Sequence, residues 1–230
     1  MIFSICAYIM ICDFLELKES NQDTEKLIDD AIKIIADTED KDVKTSIDWD
    51  YLKSINENII GWIEIKGTNI NYPILKDNDN LYYLKHSYNK KYNSNGSIFT
   101  LDNKPFEIDE TLIYGHNMRN NKSMFSQLGN YLDKDFLYSH RNIKIYTPIQ
   151  NYIGEIFSCY SIGIETENTN IKSLNFNEKI EYYKSSSKYK MDSTDKINKI
   201  IKLSTCSYIN AKTIPTDQRY YIVVAIKPIN

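Results

Sequence analysis

Apolar and polar positions change rhythm along this chain. Between residues 14 and 40 the spacing is helical: Leu27, Ala31 and Ile35 fall four apart on one face, with Ile28 and Ile32 beside them. An amphipathic helix is expected there, followed by a polar connection over residues 37–46. From Trp49 the pattern turns to β. Residues 59–65 (IIGWIEI) run into the turn signal Lys66-Gly67-Thr68, and residues 69–75 (NINYPIL) follow as a hairpin partner. Pro73 marks an edge or a bulge in that partner. Residues 77–95, rich in Tyr, Asn and Lys, read as a short helix and a loop. Strands are expected over 96–101, 110–114, 143–146 and 152–164. A helix is expected to begin at Ser123, with Met124, Phe125 and Leu128 as its apolar face, and a helical turn over 132–138. Within residues 165–195, Phe176, Ile180 and Tyr183 share one face of a helix over 175–190. The last two strands span 196–205 and 219–226, with a loop over 208–218. No internal repeat, low-complexity block or second domain is visible, so the expected fold is mainly β with peripheral helices.

The start of the chain is a separate case. Residues 1–12 (MIFSICAYIMIC) are apolar apart from Ser4, and Asp13 and Glu16 then interrupt. A spanning helix needs roughly 20 apolar residues, so this run is short. It also lacks the Lys or Arg expected on the cytoplasmic side. Three readings stand at this point: the end of a signal anchor, the core of a signal peptide without a clear cleavage site, or a buried helix.

Composition narrows the class. The 230 residues are 42% hydrophobic and 26% charged, an ordinary globular balance long enough to bury a core without staples. With 28 basic against 31 acidic residues the net charge is -3, so no nucleic-acid partner is expected. The 19 tyrosines suit half-buried strand positions and a peptide-binding surface. Cys6 and Cys12 lie in the apolar start. Cys159 sits inside an expected strand and reads as core, which leaves Cys206. With no paired spacing and no CxxC, neither a disulfide framework nor a zinc site is expected. His86, His116 and His140 are too scattered for a metal motif; His86 reads as a surface histidine. No metal or cofactor is expected.

The chemistry collects at three strand ends. Ile200 to Cys206 (IIKLSTC) is an apolar run ending in hydroxyl residues and a thiol. A lone free cysteine is most often core, but here two features argue otherwise. Thr111 to Met118 (TLIYGHNM) is a strand running into Gly115-His116, and Arg219 opens the last strand. Cys206, His116 and Arg219 together supply a thiol nucleophile, a proton carrier and an oxyanion or substrate clamp. Arginine suits the last role because it stays charged and offers donors in a fixed fork. The Ser207 backbone N–H is a candidate second oxyanion donor. Ser204, Thr205, Ser207, Tyr208 and Asn117 are weaker candidates for substrate binding; Ser204 and Thr205 could equally only pack at the strand end. Papain-like and caspase motifs are absent. Ninety residues separate His116 from Cys206 and thirteen separate Cys206 from Arg219, a spacing that suits strands brought together in a barrel.

These segments resemble the sortase family of cysteine transpeptidases. Leu203-Ser204-Thr205-Cys206 matches its Thr-Leu-x-Thr-Cys motif, with Lys202 in place of the first Thr, and Tyr114-Gly115-His116-Asn117-Met118 looks like the class B histidine motif. The order His, Cys, Arg agrees, and the resemblance spans residues 49–227. It implies a closed β-barrel at 49–230, an N-terminal helix and connection at 18–48, and an inserted helix before the penultimate strand that walls the substrate groove. It implies Cys206, His116 and Arg219 as the catalytic set. It also implies a membrane anchor, or its remnant, at 1–17, placing the enzyme on the outer face of the cell membrane. The implied reaction cuts a Pro-x-Thr sorting signal after Thr and passes the thioester to a peptidoglycan precursor amine, anchoring surface proteins to the cell wall. Two alternatives stay open: a pilin-joining enzyme with a lysine acceptor, and a tethered peptide-binding module without turnover.

Overall fold

The structure, a computed structural model, describes residues 15, 18, 19, 22–36, 43–78, 81–191, 196–209 and 216–229. Residues 22–31 form helix α1, which buries Leu27 and Ala31 against the side of the molecule. The helix stops sooner than its apolar spacing suggested. Ile32, Ile34 and Ile35 belong instead to β1 (Ile32–Ala36), which pairs antiparallel with β2 (Val43–Ile47). Branching at Cβ costs rotamer freedom in a helix and none in a strand, so the isoleucine-rich run leaves the helix.

Trp49 does not begin a β region directly. Asp48 caps α2 (Trp49–Ile55), accepting a hydrogen bond from the Tyr51 N–H at 3.0 Å, and Leu52 is fully buried. An Asp before the first turn and Lys53 in the last turn are the sequence signals for this short helix. Then β3 (Ile59–Glu64) and β4 (Asn71–Lys76) form the expected hairpin. The irregularity lies in β3, between Ile59 and Gly61, and not at Pro73. Pro73 is tolerated because β5 (Ile98–Thr100) pairs with β4 only from Ile74 onward.

β6 (Glu110–Tyr114) follows, then a small hairpin of β7 (Asn117–Met118) and β8 (Ser123–Met124). The helix expected from Ser123 is thus a strand pair leading into a 3-10 helix, Ser126–Leu132, although Met124, Phe125 and Leu128 are all buried. α3 (Lys134–Ser139), β9 (Asn142–Tyr146) and β10 (Tyr152–Gly163) come next. Two helices then follow in succession. α5 (Phe176–Ser186) is the expected one, opened by an Asn175/Glu178 capping box. α4 (Ile164–Ile171) has no apolar stripe and was not expected. β11 (Ile200–Cys206) and β12 (Gln218–Pro228) complete the chain.

Eight strands close into a barrel in the order β10-β12-β11-β6-β5-β4-β3-β9, and β9 seals it by pairing with both β3 and β10. The interior is filled by Ile63, Ile74, Ile113, Ile145, Ile156, Ile201, Leu203, Ile222 and Val224. Alternation sends Ile200, Tyr221 and Val223 to the outer face, where they pack with Ile180 and Tyr183 of α5. β11 is therefore buried on both faces up to Thr205, and only Cys206 emerges.

The expectation of an N-terminal membrane anchor, and of a place at the outer face of a membrane, is not upheld. Among the described residues no helix is long and apolar enough to cross a membrane. Residues 1–12 lie outside the described residues. α1, the first described helix, carries its apolar face into a protein cluster with Trp62 and Leu75.

Candidate active site

Three neighbouring strands build the site. β11 pairs parallel with β6 and antiparallel with β12. Ser204 lies opposite Tyr114, and the zipper continues beyond the strand: the Gly115 N–H donates to the Ser204 carbonyl at 3.1 Å, and the Thr205 hydroxyl donates to the Gly115 carbonyl at 2.7 Å. The same offset sets His116 beside Cys206. On the other side Cys206 pairs directly with Arg219, which places their Cα atoms about 4.5–5.5 Å apart. The three residues separated by ninety and thirteen positions in sequence thus meet at one end of one sheet.

Cys206 is partly exposed and free. Its carbonyl accepts a hydrogen bond from Asn117 Nδ2 at 2.7 Å, while Asn117 Oδ1 is buried without a partner. This bond ties the loop after His116 to the end of β11. The His116 Nε2 lies 2.8 Å from the Leu84 carbonyl. A carbonyl only accepts, so Nε2 carries a proton and Nδ1 is the position left to exchange one. His116 and Cys206 are not hydrogen-bonded to each other in this state, as is common before substrate arrives. Arg219 donates through Nη1 to the Thr216 and Gln218 carbonyls, each at 2.9 Å. Its charge also acts on Tyr114, whose hydroxyl is raised above its ordinary range by burial first, with Arg219 pulling it back.

The weaker candidates divide. Ser204 and Thr205 are buried, and Thr205 is committed to Gly115. Ser207 is fully buried: its N–H donates to the Gln218 carbonyl at 2.8 Å and its hydroxyl accepts from Ser161 at 2.9 Å. The Ser207 N–H is therefore already used and does not supply the second oxyanion donor expected from sequence. Tyr208 is open to solvent, with the Arg119 guanidinium 4.1 Å from its ring centre. Cys159 is core as expected; burial is the main reason its thiol is pushed up to about 11.

Sequence reasoning missed Leu84, whose carbonyl orients the imidazole, and nothing local marks it. It noted Lys202 only as a departure from a motif. In the structure Lys202 is buried in an ion pair with Glu167. A charged residue inside an apolar strand was the available signal. A concave region of about 660 Å³ bordered by Tyr152, Lys199 and Lys227 lies at the far ends of the same strands, about 25 Å of strand away from Arg219, and does not serve Cys206.

The model of the sortase domain matches residues 63–227. The chain belongs to the sortase family. A similar relative is sortase B of Listeria monocytogenes, 39% identical over 166 residues, which is 67% of this chain and 65% of that protein. The chain thus spans just under two thirds of the curated relatives it matches. Among solved structures, sortase B of Bacillus anthracis in complex with AAEK1 aligns with a TM-score of 0.71 at 26% identity, covering 93% of this chain and all of that one. A Staphylococcus aureus sortase B–substrate complex aligns with a TM-score of 0.67 at 26% identity over 79% of this chain and 85% of that one. The barrel with its peripheral helices is the fold these class B sortases share.

Proposed function

We propose that this protein is a sortase B-like cysteine transpeptidase acting on a Pro-x-Thr sorting signal. The observation that carries this is the meeting of His116, Cys206 and Arg219 at one end of β6, β11 and β12. The Cys206 sulfur attacks the carbonyl carbon of the Thr, forming a C–S bond as the C–N bond breaks. His116 takes the Cys206 thiol proton at Nδ1 and gives it to the departing amine. Arg219 faces the negative charge that gathers on the carbonyl oxygen. The resulting thioester is then attacked by an amine of a peptidoglycan precursor. His116 takes the proton from that amine, the new amide forms as the C–S bond breaks, and His116 returns the proton to the departing sulfur to restore the Cys206 thiol. Covalent catalysis of this kind replaces one difficult step with two easier ones. A sortase B of similar fold has been solved in complex with substrate, which supports the reading that this chain binds one.

The test is intact-protein mass spectrometry with a Pro-x-Thr peptide and no acceptor. The wild-type protein accumulates an adduct of the N-terminal peptide fragment on Cys206, and hydroxylamine or a short glycine peptide releases it as the amine conjugate. His116→Ala and Cys206→Ala form none, and Cys206→Ser is nearly as poor because a hydroxyl has no accessible ionised form here. An adduct mapped to Cys159, or cleavage by Cys206→Ala, overturns the assignment.

A further inference from the structure

The outer face of β11 that ends in Cys206 also carries Ser204 and Lys202. Lys202 and Glu167 of α4 are each 1% exposed and form an ion pair. Glu167 is otherwise saturated: Oε1 accepts from the Tyr160 hydroxyl at 2.7 Å and Oε2 from the Tyr182 hydroxyl at 2.8 Å. The ammonium of Lys202 sits 4.2 Å from the Tyr221 ring centre and 4.7 Å from that of Tyr183. Burial lowers the Lys202 pKa and Glu167 opposes that shift. A buried ion pair of this sort is expensive to desolvate and seldom beats an apolar pair on stability, so its use lies elsewhere.

The place to look is α4. Glu167 is its only buried residue, and no apolar side chain of the helix is fully inserted. Its position is set by the Glu167 carboxylate, by its first turn, where the Ile164 N–H donates to the Asp217 carbonyl at 3.0 Å, and by its last turn, where Asn170 donates to the Tyr182 hydroxyl at 3.1 Å and Ile171 packs half-buried beside α5. That first turn follows directly from Ile162, which pairs with Arg219. Tyr221, under the Lys202 ammonium, pairs with Ser204 and stands two residues from Arg219. The ion pair thus joins the helix that borders the Arg219 end of the site to the strand that bears the thiol.

We infer that Lys202 and Glu167 are positioning residues: their ion pair docks α4 on β11 and so sets the distance between this helix and the Cys206–Arg219 end of the barrel, governing how a peptide is seated there. The peptide part of this inference rests on the proposed transpeptidase reading; the docking of α4 does not.

Lys202→Met, Glu167→Gln and the double variant test it. Each single change leaves a buried partner unmatched and lowers the melting temperature. The double variant has no buried charge and recovers stability. Docking by charge requires that it nevertheless exchange the amide hydrogens of residues 167–171 faster than wild type, by tenfold or more on the scale of local opening. Peptide KM should rise about tenfold while kcat and alkylation of Cys206 by iodoacetamide hold, since misplacement of about 1 Å can cost up to a hundredfold. A merely structural pair predicts instead that KM and exchange return to wild-type values with stability, and that result overturns the inference. If the double variant does not fold, Glu167→Asp takes its place, keeping the charge but one carbon short, with the same two readings. Should that fail too, wild-type exchange decides: α4 amides as protected as those of β11 support docking, and exchange at the rate of a free helix overturns it. A wild-type protein that cleaves no peptide sinks the functional reading alone, because exchange at α4 still judges the ion pair.

Discussion

Gly115 offers a direct way to test how the histidine is placed. A Cβ added there would lie 2.4 Å from Ile98 Cδ1, 2.7 Å from Phe125 Cδ2 and 2.8 Å from Phe125 Cγ. All are more than half an ångström inside ordinary carbon contact, and both neighbours are fully packed in the barrel core. The backbone imposes no penalty of its own, since Gly115 is not among the residues with positive φ. Gly115→Ala is therefore an overpacking change, with an expected cost of about 1–3 kcal/mol. For a chain of this size each kcal/mol lowers Tm by roughly 2–4 °C, so the variant should melt about 2–12 °C below wild type. Relief can only come from moving Ile98 and Phe125 or from moving the main chain that leads into His116. The second route displaces the imidazole from the Leu84 carbonyl and reduces kcat/KM by about tenfold, within what sub-ångström misplacement can cost. Ile98→Val removes the nearest clashing atom. Alone it should cost about 0.5–1.5 kcal/mol. Combined with Gly115→Ala it should recover at least about 0.5 kcal/mol relative to additivity, because the two sites touch. Thermal unfolding of the four proteins with peptide cleavage alongside provides the cycle. A Gly115→Ala protein that melts within about 1 °C of wild type, with strictly additive energies, would refute the reasoning.

Arg219→Lys should keep the fold and lose about a hundred- to a thousandfold in kcat, because lysine lacks the planar fork of donors proposed to meet the developing oxyanion; a near wild-type kcat removes Arg219 from the mechanism. At pH 8, where a thiol raised to about 11 by burial is only about one part in a thousand ionised, iodoacetamide should label Cys206 and leave Cys159 unmodified until denaturant is added; peptide mapping that finds Cys159 labelled in the native protein contradicts its burial. Removal of residues 1–20 should leave peptide cleavage intact, since helix α1 and every candidate catalytic residue lie beyond them; a shortened protein that folds but does not cleave would place the N-terminus in the site.

Much of the site could be read along the chain because its parts are local. The strand ends at Cys206, His116 and Arg219 are each marked by an apolar run that ends at, or opens from, a chemically distinct residue. The barrel strands were legible for the same reason, and Asn175 with Glu178 marks the start of α5 without any tertiary knowledge. Where two local codes compete, the reading slipped. Ile32, Ile34 and Ile35 satisfy both a helical stripe and a β-branched strand, and pairing with residues 43–47 decided between them. Met124, Phe125 and Leu128 bury as an apolar face must, yet do so from a hairpin and a 3-10 turn.

What the sequence by itself determined is the order of the strands along the chain, which residue types stand at their ends, and hence the class of chemistry proposed for them. What only the tertiary structure decided is which groups are already spent. The Ser207 N–H belongs to Gln218, the Thr205 hydroxyl to Gly115 and the His116 Nε2–H to Leu84. A hydrogen bond consumes a donor once, and whether a partner 11 or 90 residues away claims it depends on register between strands, not on either segment alone. The same holds for Lys202 and Glu167, 35 residues apart. Neither residue type announces burial; each is stable inside only because the other is there, and closure of the barrel under α4 is what brings them together.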